Sequence, residues 1–132
     1  MGLIRVVVGD DSPLRAVWSE ILRGSGMRLL GETADGVAAL ELIRARRPQV
    51  ALVGEQLPGL RGAAIATAVH DEGLPTRVLV VSANPRRPLT DGVVDDGVAQ
   101  WLSTQASRAE IVEAVSLCAE GSSAWTRHHR PT

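Results

Sequence analysis

Lysine is absent from this chain: all 14 basic residues are arginine. No mechanism that needs a lysine amine, as a Schiff-base former or as a point charge beside phosphate, can operate here. Phenylalanine and tyrosine are absent as well, and three tryptophans make up the aromatic complement. Cysteine occurs once, as Cys118. That excludes an intrachain disulfide and a cysteine cluster for zinc. Within IVEAVSLCAE it reads as a buried structural thiol. No apolar run approaches the roughly 20 residues of a membrane span. The start, MGLIRVVVGDD, lacks the charged beginning, long apolar centre and small-residue cleavage site of a signal peptide. Gly2 is a poor myristoylation signal because LIRV follows it as a strand. With a net charge of −1, the chain has no general attraction to nucleic acid or to an anionic membrane. The expected location is cytoplasmic, with neither a membrane nor a nucleic acid as a direct partner.

What is present is alternation. The 132 residues are one domain's worth of chain, with ordinary hydrophobic (45%) and charged (22%) shares for a globular fold. Leu3–Gly9 is β-branched and apolar without helical period, so it reads as a buried strand. Ser12 and Pro13 open a helix with Leu14, Val17, Trp18, Ile21 and Leu22 on one face, ended by Gly24-Ser25-Gly26. Met27–Thr33 is a second strand. Asp35 or a neighbour starts a second helix, with Val37, Leu40, Leu42 and Ile43 inward and Pro48 as its stop. Val50–Val53 is a third strand, Ala63–Asp71 a weaker helix, and Arg77–Val81 a fourth strand. Ser82-Ala83-Asn84-Pro85 reads as a loop, and residues 88–97, rich in Asp and Gly, as a poor, mobile helix. Ala99–Leu102 is a short fifth strand. Ser107 caps a last helix, Arg108–Glu120, with Ile111, Val112, Val115 and Cys118 inward.

Continuous apolar strands alternating with amphipathic helices imply a parallel sheet covered on both faces, a doubly wound three-layer α/β/α sandwich. Sites in such sheets form beyond the carboxyl ends of the strands. Those ends carry Asp10 and Asp11, Gly54, Ser82, and Ser103-Thr104.

Five segments, VVVGDDSPLRAVWSEIL, GETADGVAALELIRARRPQVALV, LPGLRG, TRVLVVSA and WLSTQASRAEIVEAV, follow one another over residues 3 to about 120. In this order and spacing the chain resembles a response-regulator receiver domain of the NarL/FixJ type, as in LuxR-type regulators. The resemblance implies a flavodoxin-like (CheY-like), five-stranded fold and a five-position phosphoryl site in two-component signalling. Asp10 and Asp11 match the acids that hold Mg²⁺. Gly54 stands where the phosphoacceptor aspartate ends the third strand. Ser82 matches the hydroxyl that bonds the phosphoryl oxygen, Trp101 the switch aromatic, and Thr104 the lysine that neutralises phosphate. The pattern is therefore degenerate at two positions. Phosphoryl transfer needs an oxygen nucleophile and cations to spread charge. Gly54 supplies no nucleophile and Thr104 no charge.

Each remaining position admits two readings. Asp10 and Asp11 are either a residual, weak Mg²⁺ site or carboxylates held by hydrogen bonds or by Arg86 and Arg87; no cofactor is expected. Glu55 is either a stand-in for a phosphorylated aspartate or a solvated residue. Strand alternation argues against its entering the pocket directly. Ser82 is a loop hydroxyl or a switch. Trp101 is a packing residue or the lock of the surrounding surface. His70 closes a helix, and His128-His129 is a weak metal signal. GDDSP after the first strand is not a phosphate-cradling glycine loop, so no flavin or dinucleotide site is expected. Residues 1–120 read as the receiver and 121–132 as a linker that resembles the lead-in to a DNA-binding domain. The favoured function is an atypical receiver acting without aspartate phosphorylation, through its conformation, a protein partner, or a ligand in the space that Gly54 vacates. A homodimer is a further expectation. The alternative is a small flavodoxin-like enzyme or cofactor binder sharing only the topology.

Overall fold

The computed structural model describes residues 3–83 and 97–120. From β1 to β4 the elements alternate as read, and β5 and α4 follow beyond the undescribed span: β1 (Arg5–Gly9), α1 (Leu14–Gly24), β2 (Arg28–Thr33), α2 (Gly36–Arg46), β3 (Val50–Gly54), α3 (Gly62–Asp71), β4 (Arg77–Ser82), β5 (Val98–Ser103) and α4 (Arg108–Glu120). The five strands form one sheet in the order β2-β1-β3-β4-β5, every pair parallel. The chain moves outward from β1 to β2, then to the other side through β3, β4 and β5. The switch in direction lies between β1 and β3, where doubly wound sheets open their clefts.

The apolar strands alternate between two cores. Val6 and Val8, Val50 and Leu52, and Leu79 and Val81 face α1 and α4, where Trp18, Ile21, Leu22, Ile111, Val115 and Cys118 close the layer. Val7, Ala51, Val53, Val78 and Val80 face α2 and α3, against Ala39, Leu40, Ile43, Ile65 and Val69. Both faces being dry explains why these strands read as unbroken apolar runs.

Two inward positions differ from expectation. Val17 and Val37 are each 48% exposed. In α2 the stripe that meets the sheet is Gly36, Ala39, Leu40 and Ile43, an i, i+3, i+4, i+7 set. Val37 lies a hundred degrees away from it. Small residues at 36 and 39 draw the helix close, and a helix rich in Ala and Leu carries more than one plausible apolar face. Helix α1 starts at Leu14 with Pro13 as its N-cap and no side-chain cap bond there, one residue later than Ser12 and Pro13 implied, whereas α2 and α4 start at the residues their sequence signals mark. Asp35 Oδ2 accepts from the Ala38 amide at 2.9 Å. The Ser107 hydroxyl accepts from the Glu110 amide at 3.1 Å while Glu110 Oε1 accepts from the Ser107 amide at 2.8 Å, a capping box. The helix expected over 88–97 lies outside the described residues except for Gly97, as do Asn84-Pro85, Arg86, Arg87 and the tail 121–132 with His128-His129.

Candidate functional site

Strand parity decides which side chains meet at the carboxyl edge. Gly54 continues the Val50, Leu52 set, and Asp10 continues the Val6, Val8 set, so both look toward the α1 and α4 side. Glu55 and Ser82 continue the opposite sets and look toward α2 and α3. The β3–β4 register pairs Gly54 with Val81. The Glu55 amide donates to the Val81 carbonyl at 2.8 Å, which carries the ladder one step past the strand.

The first pair is Asp10 with Gly54. Asp10 is buried. Its Oδ2 accepts from the Ser12 amide at 3.0 Å and from the Ser12 hydroxyl, which in turn accepts from the Leu14 amide at 3.2 Å at the start of α1. Arg15 Nη1 donates to the Asp10 carbonyl at 3.2 Å. A Cβ added at Gly54 would overlap Asp10 Oδ1 and lie 3.4 Å from Asp10 Cγ. The space beside Gly54 is therefore not the vacancy expected for a ligand: the Asp10 carboxylate fills it. Asp11 is exposed. With Asp10 committed to Ser12, Asp11 pointing to solvent and no side chain at Gly54, this donor set does not fit a divalent cation. Among the described residues no three acids, histidines or cysteines come together as metal ligands.

The second pair is Glu55 with Ser82. Both are buried, and the Ser82 hydroxyl donates to Glu55 Oε1 at 2.6 Å. Two expectations change here. Ser82 is the last residue of β4 rather than a loop hydroxyl, and Glu55 is not solvated. Alternation does aim Glu55 away from Gly54, but it aims it at Ser82. The signal was present in the sequence as two segments ending in parallel strands; the register that sets 55 beside 82 was not.

Beyond Ser82, its carbonyl accepts from the Thr104 amide at 3.1 Å, and β4 pairs Ser82 with Ser103 and Val80 with Trp101. Trp101 is half-buried against the α2 and α3 core. It also borders a cleft of about 450 Å³ between β5 and α4, with Gln105, Glu110, Glu113 and Leu117. The loop after Glu55 returns tightly to the sheet. Gly62 donates to the Glu55 carbonyl at 3.3 Å, and a Cβ there would sit 2.6 Å from the Gly54 carbonyl oxygen. Gly62, the last residue of the LPGLRG segment, is thus a site-forming residue whose contact with Gly54 the spacing alone did not reveal. His70, exposed in the last turn of α3, stands 3.5 Å from Asp71 and away from this edge. Cys118 is buried, and that burial pushes its thiol up, the Arg77 charge offsetting part of the effect.

A five-stranded doubly wound sheet with acids and a hydroxyl at its carboxyl edge defines a class of signalling and binding domains rather than one chemistry. The response regulator receiver domain matches residues 6–116, and the chain belongs to that family. It is 43% identical over 120 residues to "Probable transcriptional regulatory protein NarL" of Mycobacterium tuberculosis, an alignment covering 89% of this chain and 56% of that protein. The chain thus spans a little over half the length of that relative. The solved signal receiver domain of NarL from Mycobacterium tuberculosis superposes with a TM-score of 0.85 at 43% identity, over 92% of this chain and 99% of that one. A DNA-binding response regulator of the LuxR family from Staphylococcus aureus shares the fold, with a TM-score of 0.80 at 23% identity over 89% of this chain and 99% of that one. Identity at the 43% level over most of the chain is more than common topology, so the alternative of a flavodoxin-like enzyme sharing only the fold gives way to a receiver domain of the NarL/LuxR type. Among the described residues no helix is long and apolar enough to cross a membrane.

Proposed function

We propose that this chain is an atypical receiver module that works without phosphorylation of an aspartate at the end of β3. The observation that supports the reading is the Gly54–Asp10 arrangement. The position that the family resemblance gives to the phosphoacceptor has no side chain, and the neighbouring carboxylate has folded into its place. An in-line phosphoryl acceptor needs a free oxygen nucleophile and a cation beside it. Asp10 is hydrogen-bonded to Ser12, and Thr104 brings no charge. Output then rests on the conformation of the module and on the protein surface it presents, with residues 1–120 as the receiver and 121–132 leading to an effector. By the likeness to NarL that effector acts in transcription regulation, through a DNA-binding domain outside this chain, in the cytoplasm. A ligand beside Gly54 is not part of the proposal, because Asp10 occupies that space.

The test is incubation with a small-molecule phosphodonor and Mg²⁺, read by intact-mass spectrometry. The expected result is no added phosphoryl mass. A stable adduct mapped to Asp10, Asp11 or Glu55 would overturn the reading, since it would mean that the acceptor has moved rather than disappeared.

A further inference from the structure

We propose that Glu55 is a built-in holder of Ser82: its buried carboxylate takes the hydroxyl hydrogen bond and sets the β4–β5 edge without any incoming group. The inference rests on the phosphorylation-independent reading and gives that site its internal regulator.

Three observations join in it. Ser82 Oγ donates to Glu55 Oε1 at 2.6 Å between two buried side chains. A hydrogen bond to a carboxylate is about twice as strong as one between neutral groups, and burial strengthens it further. Glu55 is also fixed from behind. Its amide is tied to Val81 and its carbonyl to Gly62 at the start of α3, so the carboxylate is presented by backbone held on both sides. Finally, Ser82 is coupled to the last strand. Its carbonyl receives the Thr104 amide, it pairs with Ser103, and Val80, two residues before it on the same face of β4, pairs with Trp101. A pull on the Ser82 hydroxyl is therefore a pull on the segment carrying Trp101 and Thr104. Glu55 acts through Ser82 and is a positioning residue; the chemical event it replaces is the arrival of an anionic oxygen at the serine.

The experiment compares backbone amide NMR spectra of the whole chain with those of Glu55→Ala, Glu55→Gln, Ser82→Ala and the double variant Glu55→Ala/Ser82→Ala. If Glu55 holds Ser82, either alanine variant shifts the amides of Trp101–Thr104 in the same direction, and the double variant shifts them no further than one single variant. Glu55→Gln keeps an acceptor of the same length but removes the charge. It folds without a cavity and gives shifts along the same line at a smaller amplitude. Additive shifts in the double variant, or shifts confined to the immediate neighbours of each substitution, would overturn the proposal. Phosphodonor treatment of the unmodified chain separates the two readings. A phosphoryl adduct together with coupled shifts defeats the phosphorylation-independent reading and leaves the Glu55–Ser82 link standing. No adduct with uncoupled shifts defeats the link alone.

Discussion

A Cβ added at Gly36 would lie 2.7 Å from the carbonyl carbon of Leu60, backbone that has nowhere to go, whereas one added at Gly54 meets only the tip of the Asp10 side chain. The two glycines should therefore respond differently to the same methyl group. Gly36→Ala overpacks the α2–loop contact and is expected to lower unfolding free energy by about 1–3 kcal/mol. At Gly54 only Asp10 Oδ1 is in the way, and turning the carboxylate weakens rather than breaks its Oδ2 bonds to Ser12, a cost of about 1 kcal/mol. The stiffer unfolded chain returns about 0.4–1 kcal/mol of that. Gly54→Ala should stay within about 1 kcal/mol of the parent by the same bookkeeping. Urea midpoints of the two variants decide it, and equal losses would mean that Asp10 is not free to move. The absence of a nucleophile at residue 54 was legible in the sequence because it is a matter of identity and spacing. The Glu55–Ser82 bond was not. It depends on which residue of β4 lies beside the residue after β3, a register that neither segment encodes alone.

Helices and strands were legible because their punctuation is local. Asp35 before α2 and Ser107 before α4 are read directly as caps, and both form, Ser107 in a reciprocal pair with Glu110. Each side-chain cap is worth about 1 kcal/mol. Asp35→Ala and Ser107→Ala, on helices covering opposite faces of the sheet, should each cost about that much and add in the double variant. A chemical denaturation series checks this; strong non-additivity would mean that one cap also supports the other layer. A third contact joins elements in a way no periodicity announces. Arg44 of α2 grips Glu72, just past α3, with Nε at 2.9 Å and Nη2 at 2.5 Å. The hydrogen bond from Arg44 holds the Glu72 carboxyl below its ordinary range, and the bond to Glu72 raises the guanidinium further. A carboxyl lowered in the folded state adds stability that is present above its unfolded value and is lost as pH falls through the folded one. Arg44 stays charged throughout that window. The stability difference between the parent and Glu72→Gln should therefore be present at neutral pH, shrink through the acidic carboxylate range, and weaken with salt because the pair is exposed. A difference that persists unchanged at acidic pH would show that the two side chains do not act as an ion pair.

At the scale of the molecule, the sequence announced a doubly wound sandwich because β1, β3 and β4 are apolar on both faces, which only a sheet buried on both sides explains. Which residues fill each core is set by strand parity and by how closely a small-residue helix approaches, so Val17 and Val37 fell on the wrong side of the reading. The two cores share a single sheet, and this decides whether they melt together. Cys118 reports on the question. It lies on α4 in the core with Trp18, Leu22 and Leu79, its thiol pushed up by burial, and α4 packs on α1, β3, β4 and β5. A thiol reagent can reach it only after that layer opens. Gly36 sits in the other layer, on α2. If opening is global, Gly36→Ala should speed native-state labelling of Cys118 by the same factor by which it lowers stability, about tenfold for each 1.4 kcal/mol. A labelling rate untouched by Gly36→Ala would mean that α4 opens by itself. The sheet makes the first outcome the expected one: β3 and β4 give Leu52 and Leu79 to one core and Val53 and Val80 to the other from consecutive residues, so neither layer can lose its floor without the other.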